Sequence, residues 1–572
     1  MASVDYSPHP DPGLDQAIAD LAEAREAWAR TSIAERVRLL QGIRRRTDFS
    51  AGRWVAAASA AKGFDPESQF GMEEWLSGPY GVLAAVNALE ESLQRLGRGV
   101  TTYRQSWVQT GHNGAAVVRV LPVEWWEPLL LSGYRLEVRM QPRVTPANLA
   151  QHTATAYRFP SLPARVCAVL GAGNINSIPP LDAIYKLYAE NQVVALKLNP
   201  INDYLEPVFS EIFAEFIERG LIRILKGGAE LGSELVNHPL VDTVHITGSD
   251  RTHDLIVFGS GEQGEERRRR GQPLLQKPIS SELGGVSPFI VVPGPWTEAD
   301  LRFQAENFAT QKLLNGGFNC IAAQVLVQAA GWGLADRFVE HIHDVMDAQP
   351  YRVPYYPGAE DRSQRAGRMP GSVLLGELSC AHVMDLDPDS PHPAFEEEFF
   401  SAAFASTRLP YSDPAVFLDA AVDFANERLA GTLGAGIVVH PSTMAELGAR
   451  FGEAINRLRY GSVAINVWTA FNYLQPRASW GAYPGHTLDE VGSGIGVVHN
   501  ALLFERPEKS VARGPFRPLG RSLLAGEAHL APKPPWFITA RTGTRTAELF
   551  TRFLADRSPR RLPALFASAL RA

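Results

Sequence analysis

The sequence predicts an α/β protein built on a doubly wound parallel sheet. Three observations lead there. From about residue 163, short apolar runs of strand length alternate with helical patterns, an order that favours parallel pairing through crossovers. Several of those runs end in polar or glycine-bearing turns at the carboxyl end of a strand, the edge where such sheets bind ligands. The apolar content, 45%, is that of a globular chain, and 572 residues are ample for a large core.

The elements follow in order. Leu14, Ile18 and Leu21 recur at helical spacing, and Ser32-Ile-Ala-Glu35 reads as a capping box opening a second helix with Ile33, Val37 and Leu40 on one face. Residues 100–160 mix short apolar runs with Trp107, Trp125 and Trp126 and read as extended segments and an insertion. Strands are expected at 165–170, 193–198, 221–225 and 241–246, with helices at 181–190, 203–219 and 230–237 between them. In the 203–219 helix Phe209, Ile212, Phe213 and Phe216 face inward, and Gly220 ends it. The Arg-rich run 264–271 reads as a solvated loop. Buried strands are expected at 286–292 and 436–439. A Pro- and Arg-rich tail follows, containing Lys533-Pro-Pro-Trp-Phe537 and an amphipathic stretch at 546–554.

Composition narrows the function. A net charge of -7 and a pI near 6.1 give no reason to expect nucleic acid. Three cysteines, Cys167, Cys320 and Cys380, form neither a disulfide framework nor a zinc pattern, so cysteine chemistry would be that of a single thiol. Met1 to Tyr6 show no secretory signal, and no apolar run is long enough to cross a membrane. A cytoplasmic location is therefore expected.

Five segments carry the chemistry. In Asn315-Gly-Gly-Phe-Asn-Cys320 a thiol follows a glycine turn and precedes an apolar run read as helical, where a helix dipole would favour the thiolate. In Ser281-Glu282-Leu283-Gly-Gly285 a carboxylate stands beside a Gly-Gly turn and could act as a base on water. Gly171-Ala-Gly-Asn174 joins a strand to a helix and offers amides to a ligand. Lys197 closes a strand, and Gly248-Ser249 lies between a strand and a helix start, a setting that suits a pyrophosphate.

In this order the five segments resemble the aldehyde dehydrogenase superfamily, over about 163–500. The resemblance implies a Rossmann-like cofactor domain, an α/β catalytic domain and a small β oligomerisation arm. It divides the chain into an N-terminal helical part (1–135), the two parts of the arm (136–160 and 496–516), a cofactor domain (161–282), a catalytic domain (283–495) and a C-terminal extension (517–572). It implies Cys320 as nucleophile, Asn174 as oxyanion donor and Glu282 as activator of water. NAD or NADP would be held by Lys197, Gly248, Ser249, Gly228, Leu283, Glu398 and Phe400, the last two from Glu397-Glu-Phe-Phe400. Asn426 and Leu433-Gly-Ala resemble a later family segment.

Four positions depart from the family pattern. Gly173 stands where the family has tryptophan. Pro200 replaces the usual acidic ribose partner and leaves NADP as open as NAD. His253 replaces a glycine, and Phe318 replaces a glutamine and would make the substrate tunnel more apolar. The resemblance implies a small-molecule aldehyde substrate, a homodimer or homotetramer, and no nucleic-acid partner. Two alternatives stay open: a CoA-acylating member of the fold, against which Glu282 argues, and a non-catalytic binding or structural member. The tail has two readings, a helix docked on the body, or a flap over the substrate funnel or membrane-surface contact given Phe550, Phe553 and Leu554.

Overall fold

The computed structural model describes residues 12–159, 163–377 and 379–572. Met1 to Tyr6 and the boundary expected at 160–161 lie outside them. Two sheets organise these residues. The smaller has six strands in the order Gly494–Ile495, Ile279–Leu283, Thr243–Gly248, Arg165–Leu170, Gln192–Leu198 and Ile222–Lys226. All but the first pair in parallel. The strand Arg165–Leu170 sits at its centre with Val166, Cys167, Ala168 and Val169 fully buried, as a strand covered on both faces must be.

The eleven-stranded sheet runs Val108–Thr110, Ala116–Leu121, Arg135–Met140, Pro507–Arg513, Ser462–Ile465, Gly434–Val438, Ser287–Val291, Ala323–Ala329, Ala403–Leu409, Cys380–Leu386, Ser372–Leu375. Seven consecutive strands, from Pro507–Arg513 to Cys380–Leu386, are parallel. Arg135–Met140 joins antiparallel to Pro507–Arg513. Strands from the two segments expected to make an arm therefore continue this sheet within one chain, the second, Pro507–Arg513, lying inside the expected 496–516 span.

Helices flank the sheets. Pro12–Ala29 and Ile33–Ala61 pack on the smaller sheet through Ile18, Leu21, Trp28 and Trp54. Ser32 caps the second through Glu35 N, but the Glu35 carboxylate turns to Arg38 and Arg219, so only half of the expected box forms. The 203–219 helix breaks at Phe213 into Glu206–Ile212 and Ala214–Glu218, with its four apolar residues still buried.

Two sequence expectations are corrected here. The Arg-rich run is a helix, Gly261–Arg269, not a loop. Glu266 pairs with Arg269 and Arg270 at helical spacing, and the basic last turn suits the helix dipole. The apolar run after Cys320 is the strand Ala323–Ala329, not a helix. Val325 and Val327 are β-branched, and the run lies between two parallel neighbours with every residue buried, a context that overrides propensity. Cys320 therefore has no helix dipole behind it.

The tail is a docked element. In the helix Gly543–Asp556, Phe550, Phe553 and Leu554 are buried, with Phe550 and Phe553 packing on Trp126. These side chains are not available to a membrane surface. Nearby, the buried Arg477 guanidinium meets Glu91 and Glu124 at 2.6 Å and Glu127 at 3.3 Å. Arg477→Ala would leave Glu91 and Glu127 without their ion-pair partner and Glu124 with only Arg557, at 3.8 Å, a loss of about 3–5 kcal/mol. It should appear as a lower urea midpoint with an unchanged slope.

Candidate active site

The chain passes from the smaller to the larger sheet in three residues, from Leu283 through Gly284-Gly285-Val286 to Ser287. Glu282 is thus held at the seam. Cys320 lies three residues before Ala323–Ala329, the neighbour of Ser287–Val291, and reaches the same seam. The Cys320 Sγ is 3.6 Å from Glu282 Oε1, and the same oxygen accepts from the Trp480 indole at 3.0 Å.

The crossing depends on glycine. A Cβ on Gly284 would lie 1.9 Å from Glu398 Oε2, so no side chain fits there unless that carboxylate moves. Gly284 lets Glu398 reach the seam beside Glu282.

Burial sets the electrostatics. Desolvation, partly offset by the Trp480 hydrogen bond, pushes Glu282 up to about 7. Desolvation pushes Glu398 up to about 8, against the pull of buried Lys312. The Cys320 thiol is raised well above its ordinary range by burial and then by the Glu282 and Glu398 charges. The resting thiol is therefore protonated and donates to Glu282, which can take its proton. Cys167 and Cys380 are fully buried and pushed up to about 11 and about 12 by desolvation; unlike Cys320 they meet no carboxylate, Cys167 lying against Ala168 O and Cys380 against the Met346 sulfur.

Two spaces meet at this pair. On one side is a cleft of about 1820 Å³ whose lining includes Asn174, Lys197, Gly248, Ser249, Glu398 and Phe400 as well as Cys320 and Glu282. On the other is a cavity of about 70 Å³ that shares Cys320 and Glu282 and is otherwise walled mainly by aromatic and aliphatic side chains.

The Asn174 amide donates to Phe318 O at 3.1 Å, which ties it to the Cys320 loop. Asn315, in a left-handed conformation (φ 56°), donates to Asn174 O at 3.0 Å and to Phe318 O at 2.9 Å. Its own oxygen accepts from buried Lys62, which also pairs with Glu74 at 2.6 Å. Lys197 ends its strand half-buried in the cleft, its pKa lowered by desolvation. Gly248 and Ser249 lie in the cleft wall where the helix Asp250–Phe258 begins, with Ser249 accepting from Thr252 N.

Three expected residues are placed differently. Gly228 caps the helix Ala229–Asn237 and is not in the cleft wall, although Ala229 and Glu230 are. Leu283 is buried and binds Ser493 O through its amide. Phe318 is absent from the small cavity; its ring stacks on Tyr356 and meets Tyr355 and Phe400. The glycine pair before it turns the loop so that this ring joins that aromatic group. Asn426 supports the body, binding Arg457 O and Arg459 N. Sequence reasoning missed Trp480, Trp468, Phe471, Tyr473 and Trp536 around the cavity. Trp480 stands 198 residues from Glu282, and no local pattern signals that distance.

A sequence model of the aldehyde dehydrogenase family matches residues 139–356. The probable aldehyde dehydrogenase of Streptomyces coelicolor is 24% identical over 525 residues, covering 87% of this chain and 86% of that one. The 3-sulfolactaldehyde dehydrogenase of Pseudomonas putida is 33% identical over 128 residues, 22% of each chain. Among solved structures, the NAD-dependent aldehyde dehydrogenase of Sinorhizobium meliloti has a TM-score of 0.57 at 18% identity, covering 88% of this chain and 87% of that one. An indole-3-acetaldehyde dehydrogenase complexed with NAD+ has a TM-score of 0.59 at 17% identity, covering 87% and 88%. The fold is that of the solved aldehyde dehydrogenases, and the sequence model of that family covers residues 139–356 of this chain.

The raised Glu282 pKa has a sign in stability. Between about 4.5 and 7 the folded chain keeps a proton that the unfolded chain loses, so stability falls as pH rises through that window. The loss is roughly 3 kcal/mol at full ionisation. Glu282→Gln should lack that loss and be more stable than the parent at pH 8.5, but not at pH 4, by urea unfolding. Trp480→Phe removes a donor that favours the carboxylate and should extend that window to higher pH and enlarge the loss.

Proposed function

We propose that the protein oxidises an aldehyde to a carboxylic acid, using NAD or NADP, through a thioester on Cys320. The single observation that carries this reading is the Cys320–Glu282 contact at 3.6 Å, placed where a large cleft and a small, mainly apolar cavity meet.

The cleft fits a dinucleotide. Its wall holds a helix start at Gly248-Ser249 that suits a phosphate, Lys197 at a strand end, and the half-buried Glu398 carboxylate, whose position Gly284 permits. In this reading Lys197 and Glu398 hold the two riboses, Gly248 and Ser249 the pyrophosphate, and Phe400 packs beside the nicotinamide. Pro200 brings no acidic group to the adenosine end, which suits either cofactor.

Glu282 takes the thiol proton, and the Cys320 sulfur bonds to the carbonyl carbon. The Asn174 amide and the Cys320 N–H hold the oxygen as its charge develops. Losing one such donor typically lowers the rate about 10²–10³-fold. When bound, the dinucleotide supplies the hydride acceptor that turns the thiohemiacetal into a thioester. Once the thiol proton has left Glu282 for solvent, the carboxylate, near neutrality in pKa, draws a proton from the water that cleaves the thioester, releasing the acid and the Cys320 thiolate, which takes that proton back. This retained base supports hydrolysis over transfer to CoA.

Assembly as a homodimer or homotetramer belongs to the same proposal. The edge strand Ser372–Leu375 of the larger sheet, with Val373 and Leu374 exposed, offers an unpaired strand to a second copy.

Purified protein mixed with NAD+ or NADP+ and a panel of aldehydes should form the reduced cofactor without CoA. Cys320→Ala should be inactive, and full turnover in that variant would refute the reading. Glu282→Gln should accumulate an acyl-enzyme visible by intact mass, with turnover lowered about 10²-fold or more.

A further inference from the structure

We infer that the C-terminal extension completes the substrate cavity, and that Trp536 is its specificity-determining wall, limiting it to short, uncharged aldehydes. The inference rests on the reading of Cys320 as nucleophile.

The cavity beyond Cys320 is lined by Leu314, Ile321, Trp468, Phe471, Trp480 and, from the extension, Trp536. Its volume of about 70 Å³ is room for on the order of five waters, or a chain of a few heavy atoms. Trp536 is half-buried and meets Tyr134 and Phe471 with ring centroids 6.1 Å away in each case. It closes the cavity from outside the two-sheet core.

The segment that carries Trp536 is pinned on both sides. Lys533 pairs with Glu306 at 2.6 Å, and the Thr539 hydroxyl donates to the same carboxylate at 2.8 Å. Ile538 N donates to the Thr310 hydroxyl at 3.1 Å, and Phe537 stacks on Phe303 at 5.2 Å. All of these partners lie on one helix, Glu298–Leu313. That helix ends at Leu314 and the Cys320 loop. One rigid element therefore fixes the distance between the tryptophan wall and the thiol. Such a wall sets a length limit more sharply than a mobile flap.

Charge selects in the same direction. The carboxylates of Glu73, Asp182 and Glu282 line the cavity, and the one basic side chain among its described lining residues, His499, is kept neutral by burial, which lowers its pKa to about 4. Glu73 already has its cation in Arg352, at 2.7 Å. A carboxylate or sulfonate on the substrate would be desolvated beside like charge with no partner, an expensive placement. An alkyl or aryl group meets the aromatic and aliphatic side chains that make up most of the wall.

Trp536→Ala and Trp536→Phe test the wall. With propanal, hexanal and decanal, Trp536→Ala should raise the decanal-to-propanal ratio of kcat/KM at least tenfold, with Trp536→Phe between it and the parent. A ratio within twofold of the parent in Trp536→Ala would overturn the inference. In the parent, succinate semialdehyde should be at least 100-fold poorer than butanal, and equal values would overturn the charge argument. Butanamide, hexanamide and octanamide, titrated calorimetrically, separate the wall from the chemistry because they bind without reacting. If no aldehyde is oxidised, yet Trp536→Ala moves the tightest amide to a longer chain, the wall stands and the proposed reaction falls. If aldehydes are oxidised and neither series moves, the reaction stands and the wall falls. Should Trp536→Ala fail to fold, Trp536→Phe and Trp536→Leu read the same two series.

Discussion

The rest of the site depends on one constraint: a carboxylate, Glu282, held out of water at the seam between two sheets, beside a thiol. Ionised carboxylates are unfavourable in such a place, and the structure meets that difficulty in two ways. The Trp480 indole gives the charged form one strong donor. The Cys320 thiol shares the same oxygen, so the proton has two addresses a short distance apart. The seam in turn requires Gly284, because the second carboxylate, Glu398, fills the space where a side chain would stand. Two acids raised in pKa by burial, one facing the thiol and one the cleft, give the site its polarity.

A second layer holds the reacting loops in place. Lys62 and Glu74, both almost wholly buried, come from the N-terminal helices and reach Asn315 and Asn176. Asn315 then ties the backbone of Asn174 to that of Phe318. The N-terminal part of the chain therefore does more than cover the smaller sheet. A buried ion pair satisfied by amides is a costly device, and here it fixes the relative position of the proposed oxyanion donor and the nucleophile loop.

The order of strands and helices from 165 to 248 was legible because it follows from local periodicity and turn chemistry. Buried runs such as Val166–Val169 and inward rings such as Phe209 and Phe216 need no distant partner to be read. Cys320, Glu282, Asn174 and Lys197 were legible as motifs, since each stands at a strand end with its glycine or amide neighbours. The strand after Cys320 was not, because Ile321-Ala-Ala-Gln suits a helix until parallel neighbours enclose it. The Arg-rich helix was missed because its support is side-chain pairing, which charge runs disguise. The cavity wall was illegible for a simpler reason. Trp480, Trp468 and Trp536 converge on Ile321 and Cys320 from separate segments, and nothing local announces that meeting.

The pairing of Arg135–Met140 with Pro507–Arg513 joins segments more than 360 residues apart in sequence. Contacts of that span are slow to form, because loop closure precedes any gain from pairing. During synthesis the antiparallel strands Ala116–Leu121 and Arg135–Met140 emerge early, yet Pro507–Arg513, the strand that joins them to the parallel part of the sheet, follows more than 360 residues later. Until then Ser462–Ile465 and Arg135–Met140 each present an open edge, the kind of surface that chaperones cover and that aggregation exploits. A chain stopped short of residue 507 would lack the strand that closes the larger sheet. The late strand thus ties completion of the larger sheet to a segment more than 360 residues downstream of its partner.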